Sequence, residues 1–173
     1  MAIKTASGSD LRNSLSSGLV LLNTTSFSGV ASQSINSVFS ATYDYYRVIV
    51  NFQPSSAFPR IRLRASGTDA TSADYSWQLL QFSNTTIGAE RNTGDTTWNL
   101  SGTGAANQNM YLQIEIYNPF ATVNTWGFSH AYQSGSGQSN FFRLNTATSY
   151  DGFTLYPSTS NMTGALSVFG FNK

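Results

Sequence analysis

The sequence predicts an all-β protein: an antiparallel β-sandwich or jelly roll of about ten strands behind a short polar N-terminal arm. Three observations carry that prediction. Ser, Thr, Asn and Gln supply 68 of 173 residues, whereas Lys and Glu, both good helix formers, occur twice each. Apolar residues recur with period two in short runs rather than with the period of a helix. Gly, Asn, Asp, Ser and Pro break those runs at short intervals, and no repeat of fixed period points to a propeller or solenoid.

Each element follows from local pattern. Residues 1–16, MAIKTASGSDLRNSLS, are polar and read either as a frayed terminus or as an arm that orders on a partner, with Ser9 or Asp10 able to cap one helical turn. The jelly-roll domain is assigned to 17–173. GLVLLNTTSF (18–27) is an apolar run, and VASQSINSVF (30–39) alternates loosely. YDYYRVIVNF (43–52) is the clearest strand. Tyr46, Val48, Val50 and Phe52 share one face, and Tyr45, Arg47, Ile49 and Asn51 the other. Both faces are fairly apolar, so this strand belongs in the centre of a sheet.

A loop bounded by Pro54 and Pro59 leads into RIRLRAS (60–66), a strict alternation, and GTDATSAD (67–74) reads as a loop. YSWQLLQF (75–82) is a strand. TTIGAERN and TTWNLSG flank TGD (93–95), which reads as a hairpin tip. After a loop at 102–109, MYLQIEIYNP (110–119) turns Met110, Leu112, Ile114 and Ile116 inward and Tyr111, Gln113, Glu115 and Tyr117 outward. ATVNTWGFSHAYQ (121–133) is aromatic on one side through Trp126, Phe128, His130 and Tyr132. SGSGQS (134–139) reads as a turn, and NFFRLN, YDGFTLYP and GALSVFGFNK supply the last strands.

The same residues exclude much chemistry. The chain has one histidine and no cysteine, so neither a disulfide framework nor a zinc site is expected. His130 would have to serve any Ser-His-acid triad, and no G-x-S-x-G elbow accompanies it. Most of the eight carboxylates sit at loops or turns, and Asp69 with Asp74 offers a calcium loop too few ligands. No enzyme activity, cofactor or metal is expected. A net charge of +1 argues against a nucleic-acid partner. No apolar run is long enough to cross a membrane as a helix, and the start lacks the apolar core of a signal peptide. The reading is a chain made and folded in a cytoplasm. Trp77, Trp98 and Trp126, set among Asn and Gln, are either core residues or platforms for a sugar ring.

SSGLVLLNTTSFS, YDYYRVIVNF, RIRLRASGTDATSADYSW and the terminal GALSVFGFNK, in that order, resemble small virion proteins of tailed phages. The resemblance spans most of residues 16–173 and rests on strand texture and loop placement. It implies a capsid cement (decoration) protein on the outer surface of the major capsid protein, stabilising the shell as a homotrimer. The alternative it implies is a tail-fibre or receptor-binding module that recognises a surface glycan. The implied location is the virion.

Six residues are candidates for interaction: Arg60, Arg62 and Arg64 along one strand face, and Trp126, His130 and Tyr132 along another. The three arginines alternate with Ile61, Leu63 and Ala65. The arginine row is expected to meet a neighbouring subunit or the capsid, or to pair with acids of an adjacent strand, Asp44 and Glu115 being candidates.

Overall fold

A computed structural model describes residues 18–54, 58–102, 108–133 and 135–171. The expected arm at 1–16 lies outside the described residues. Among the described residues, thirteen antiparallel strands build two sheets. The larger contains β1 (Leu19–Val30), β3 (Tyr45–Pro54), β6 (Tyr75–Ser83), β7 (Thr86–Asp95), β9 (Met110–Tyr117), β10 (Thr125–Gln133), β11 (Ser136–Leu144) and β13 (Met162–Phe171). Its order is β1-β13-β3-β9-β10-β11-β6-β7. The smaller contains β2 (Gln33–Ile35), β4 (Pro59–Ala65), β5 (Thr68–Asp69), β8 (Trp98–Asn99) and β12 (Gly152–Pro157). It runs β2-β12-β4-β5, with β8 also on β4. The strands beyond the expected number are short pieces such as β5, two residues inside the predicted loop at 67–74.

Alternation builds the core between the sheets. From the larger sheet, Tyr46, Val48, Val50 and Phe52 of β3, Met110, Leu112, Ile114 and Ile116 of β9, and Leu166 and Val168 of β13 point inward and are buried. Ile61 and Leu63 of β4 and Phe153 and Leu155 of β12 answer them from the smaller sheet. As its apolar faces require, β3 is central, held between β13 and β9. Trp98 is fully buried; it stacks on Phe142 at 4.5 Å between ring centroids and meets Tyr75 edge-on at 5.4 Å. Gly127 makes room for this stack, because a Cβ there would lie 2.3 Å from the Phe142 ring and 2.4 Å from the Glu115 carbonyl. Trp98 Nε1 is buried with no hydrogen-bond partner among the described residues, whereas the Tyr75 hydroxyl is satisfied locally. Tyr75 donates to the Ala70 carbonyl at 3.0 Å and accepts from the Leu63 amide at 3.1 Å, and burial raises its phenol well above the ordinary value.

Three sequence expectations are corrected here. The hairpin tip does not lie at 93–95. β6 turns into β7 at Asn84 and Thr85, with Ser83 opposite Thr86 and Asn84 at φ 51°. Gly94, with φ 93°, is instead the extra residue of a bulge, since Tyr75 pairs with Asp95 and Ser76 with Thr93. The run TTWNLSG therefore does not fold back on TTIGAERN. Thr97, Trp98 and Leu100 cross to the other sheet, where Thr97 Oγ1 donates to the Ile61 carbonyl and the Leu100 amide to the Pro59 carbonyl. The turn expected over 134–139 is shorter too, because β11 has already begun at Ser136, opposite Gln133.

Candidate functional site

The register of the larger sheet fixes which side chains meet on its outer face. Trp126 of β10 lies opposite Tyr117 of β9 and Arg143 of β11, and Arg143 lies opposite Ser76 of β6, which faces Thr93 of β7. One step along, Phe128 lies between Glu115 and Phe141, and Phe141 is followed by Gln78 and Arg91. These two rows enclose a solvent-open cleft of about 450 Å³. Ser76, Gln78, Arg91, Thr93, Trp126, Phe141 and Arg143 line it, and the intervening Trp77, Asn92, Gly127 and Phe142 complete the lining.

The aromatic groups are presented to solvent: Trp126 is 51% and Phe141 62% exposed. The polar groups are held by a network. Arg143 Nε donates to Asn145 Oδ1, Asn145 Nδ2 donates to Ser76 Oγ at 3.0 Å, and the Arg143 guanidinium carbon sits 5.0 Å from the Trp126 ring centroid. Trp77 Nε1 donates to Asp95 Oδ2 at 2.9 Å, and Asn92 Nδ2 donates to the same oxygen at 3.2 Å. The cleft thus joins two aromatic rings to hydroxyls, an amide and two guanidinium groups.

Beside the cleft, Glu115 is fully buried although it lies on the outward side of β9. Oε1 accepts from Arg47 Nε at 2.6 Å and from Gln113 Nε2 at 2.9 Å, while Oε2 is buried with no hydrogen-bond partner. Burial pushes this carboxyl up to about 7. The outward placement expected for Glu115 is right as to face and wrong as to exposure, because Arg47 and the neighbouring aromatics cover it.

The six candidate residues divide. Trp126, His130 and Tyr132 share the outer face of β10, but only Trp126 lines the cleft. His130 is exposed and its Nδ1 sits 2.9 Å from Ser139 Oγ, its cross-strand neighbour. Tyr132 is 61% exposed next to Tyr111. Arg60, Arg62 and Arg64 do project from the outer face of the smaller sheet, opposite Tyr156, Thr154 and Gly152 of β12.

That row is largely engaged within the chain. Arg64 ion-pairs with Asp69 and also donates to Asn36 Oδ1 and Thr154 Oγ1. Arg62 Nε donates to the Thr96 carbonyl, and its guanidinium covers the Tyr156 ring at 4.9 Å. The pairing partners proposed from sequence do not fit. Glu115 belongs to the other sheet, where it pairs with Arg47, and Asp44 precedes β3 of that same sheet. Asp69 and Asp74 do not form a cation loop: Asp69 accepts from Arg64 and Thr154, and Asp74 from Thr146 at 2.8 Å. No group of three or more metal-ligating side chains occurs among the described residues.

No protein-family model matches the chain, and no curated protein matches it significantly. Solved structures with similar architecture include a galectin from Caenorhabditis elegans, with TM-score 0.39 and 10% identity over 88% of this chain and 95% of that one. A tetrameric galectin from the sponge Cinachyrella has TM-score 0.32 and 8% identity, covering 81% of this chain and 99% of that one. A Shewanella oneidensis protein of unknown function has TM-score 0.27 and 9% identity over 99% and 97% of the two chains. At these scores the likeness carries no information about ligands, and the site rests on its own geometry.

Proposed function

We propose that this protein is a glycan-binding β-sandwich module that reads carbohydrate through the cleft on its larger sheet. The observation that carries this is the lining. Half-exposed Trp126 and Phe141 offer apolar ring faces, and Ser76, Gln78 and Thr93 surround them with neutral donors and acceptors. A sugar ring has the matching character, with apolar C–H faces and a rim of hydroxyls. The volume lies within the range of small-ligand sites, roughly 300–1,000 Å³. A glycan array with the purified chain tests this, followed by titration of any hit against Trp126→Ala. Loss of an anchoring aromatic should weaken binding about tenfold or more. An array without binders, or a hit that Trp126→Ala binds unchanged, removes the reading.

A second reading is a structural virion protein, a capsid cement protein, docking through this same sheet. The observation favouring it is the apolar surface outside the cleft: Leu19, Leu21, Ile49, Leu80, Phe82 and Ile87 are all exposed on the larger sheet. Cement on a capsid and a homotrimer are proposals of this reading. Light scattering of the purified chain tests the trimer. Electron microscopy of a virion carrying the protein tests the location, and copies confined to the tail tip would favour the glycan reading.

A further inference from the structure

Resting on the glycan-binding reading, we propose that the cleft selects anionic sugars, bearing a carboxylate or a sulfate, over neutral ones. Among the described residues two cations line it, and no carboxylate does. The register sets Arg91 beside Gln78 and Arg143 beside Ser76, so the two arginines flank β6 from opposite sides. Two interstrand spacings and one two-residue step separate their Cα atoms, about 12 Å. The two arginines can therefore bracket a sugar lying over Ser76 and Gln78, Arg143 from the Trp126 side and Arg91 from the β7 edge.

The two positive charges are not neutralised. Arg91 takes part in neither of the ion pairs among the described residues, which join Arg47 to Glu115 and Arg64 to Asp69. Arg143 spends its Nε on Asn145, a neutral partner, and rests on the Trp126 ring, which fixes its plane and leaves its charge. The nearby acids are engaged elsewhere. Asp95 accepts from Trp77, Asn92 and the Thr96 amide. Glu115 is buried against Arg47. Glu90 lies opposite the inward-facing Leu79, on the other side of the sheet from Arg91. Charged residues make up only 10% of the sequence, so two unpaired guanidinium groups in one aromatic cleft are a local excess of positive charge. Their planar forks suit carboxylate and sulfate oxygens, while Trp126 and Phe141 take the ring that bears them.

Isothermal titration of the full chain with matched probes tests the proposal: a galacturonate oligomer against its methyl ester, and a sulfated galactose oligomer against its unsulfated form. The charged member of at least one pair should bind about tenfold or more tightly. The preference should shrink as salt is added. Arg91→Gln, at an exposed edge position where folding is not at stake, should remove the difference between the charged and neutral members of a pair, and Arg143→Gln should do the same. Equal affinity within both pairs overturns the anionic selectivity and leaves the glycan reading standing. An acid preference that survives in the Arg91→Gln, Arg143→Gln double variant places the anion elsewhere and also overturns it. Failure of these probes and of a broad glycan array overturns both.

Discussion

Single residues carry the functional distinctions in this fold. Trp98 and Trp126 have similar surroundings in the sequence, polar and strand-like, yet one is fully buried and the other is half exposed beside Arg143. Alternation alone could not separate them, because the crossing of Thr97 and Trp98 to the smaller sheet decides which tryptophan is enclosed. Glu115 was legible as to its face and not as to its burial, since its cover comes from Arg47 and other side chains of neighbouring strands. Its raised pKa has a consequence of definite sign. Ionising Glu115 costs more in the folded chain than in the unfolded one, so this residue lowers stability progressively as pH climbs from about 4.5 to about 7, and no further above that. In thermal melts, the Glu115→Gln variant should gain on the parent protein across that interval and hold a constant offset above it. A constant offset at every pH would show that the carboxyl titrates normally.

At the scale of elements, the strands were readable and the pairing of one hairpin was not. Gly94 carries a turn-like signal but serves as a bulge within β7, and the true turn rests on Asn84, a residue that tolerates the left-handed conformation. That misplacement hid the cleft, because Arg91 and Thr93 come to lie beside Gln78 and Ser76 only when β7 returns along β6 from Asn84. NFFRLN reads as a strand, yet Phe141 and Arg143 join the cleft only through the register of β11 with β10 and β6, which local pattern does not supply. The arginine row was legible as an alternation, while its partners Asp69 and Thr96 depend on long-range register. If Asn84 sets the hairpin, a β-branched residue there is strained and Gly is not. Asn84→Val should cost about 1–2 kcal/mol in urea unfolding, and Asn84→Gly should be close to neutral. Equal effects from both would remove the turn from the account.

The whole molecule is held by packed aromatic and aliphatic side chains and by long ladders, with little help from charge. Two ion pairs occur among the described residues, against 68 neutral polar side chains in the sequence. The unfolding midpoint in denaturant titrations should therefore move little between about 0.05 and 0.5 M sodium chloride, since screening has few surface pairs to weaken. A fall in stability with added salt would reveal a charge network that these contacts do not contain. The same economy of charge makes the two unpaired arginines of the cleft conspicuous as a feature of the surface as a whole.

The position of β13 bears on how such a chain is made. It follows every other strand of the larger sheet in sequence, yet it lies between β1 and β3, pairing with both along most of its length. While a ribosome is still producing residues 162–171, β1 has no neighbour among the described strands and one side of β3 lacks its described partner. The nascent chain must therefore wait with two unpaired strand borders until β13 emerges and inserts, closing contacts more than a hundred residues apart. A product cut short before β13 would keep both borders open, and such borders recruit other chains. Premature termination should thus yield sticky, protease-sensitive material, whereas completed chains seal the gap themselves.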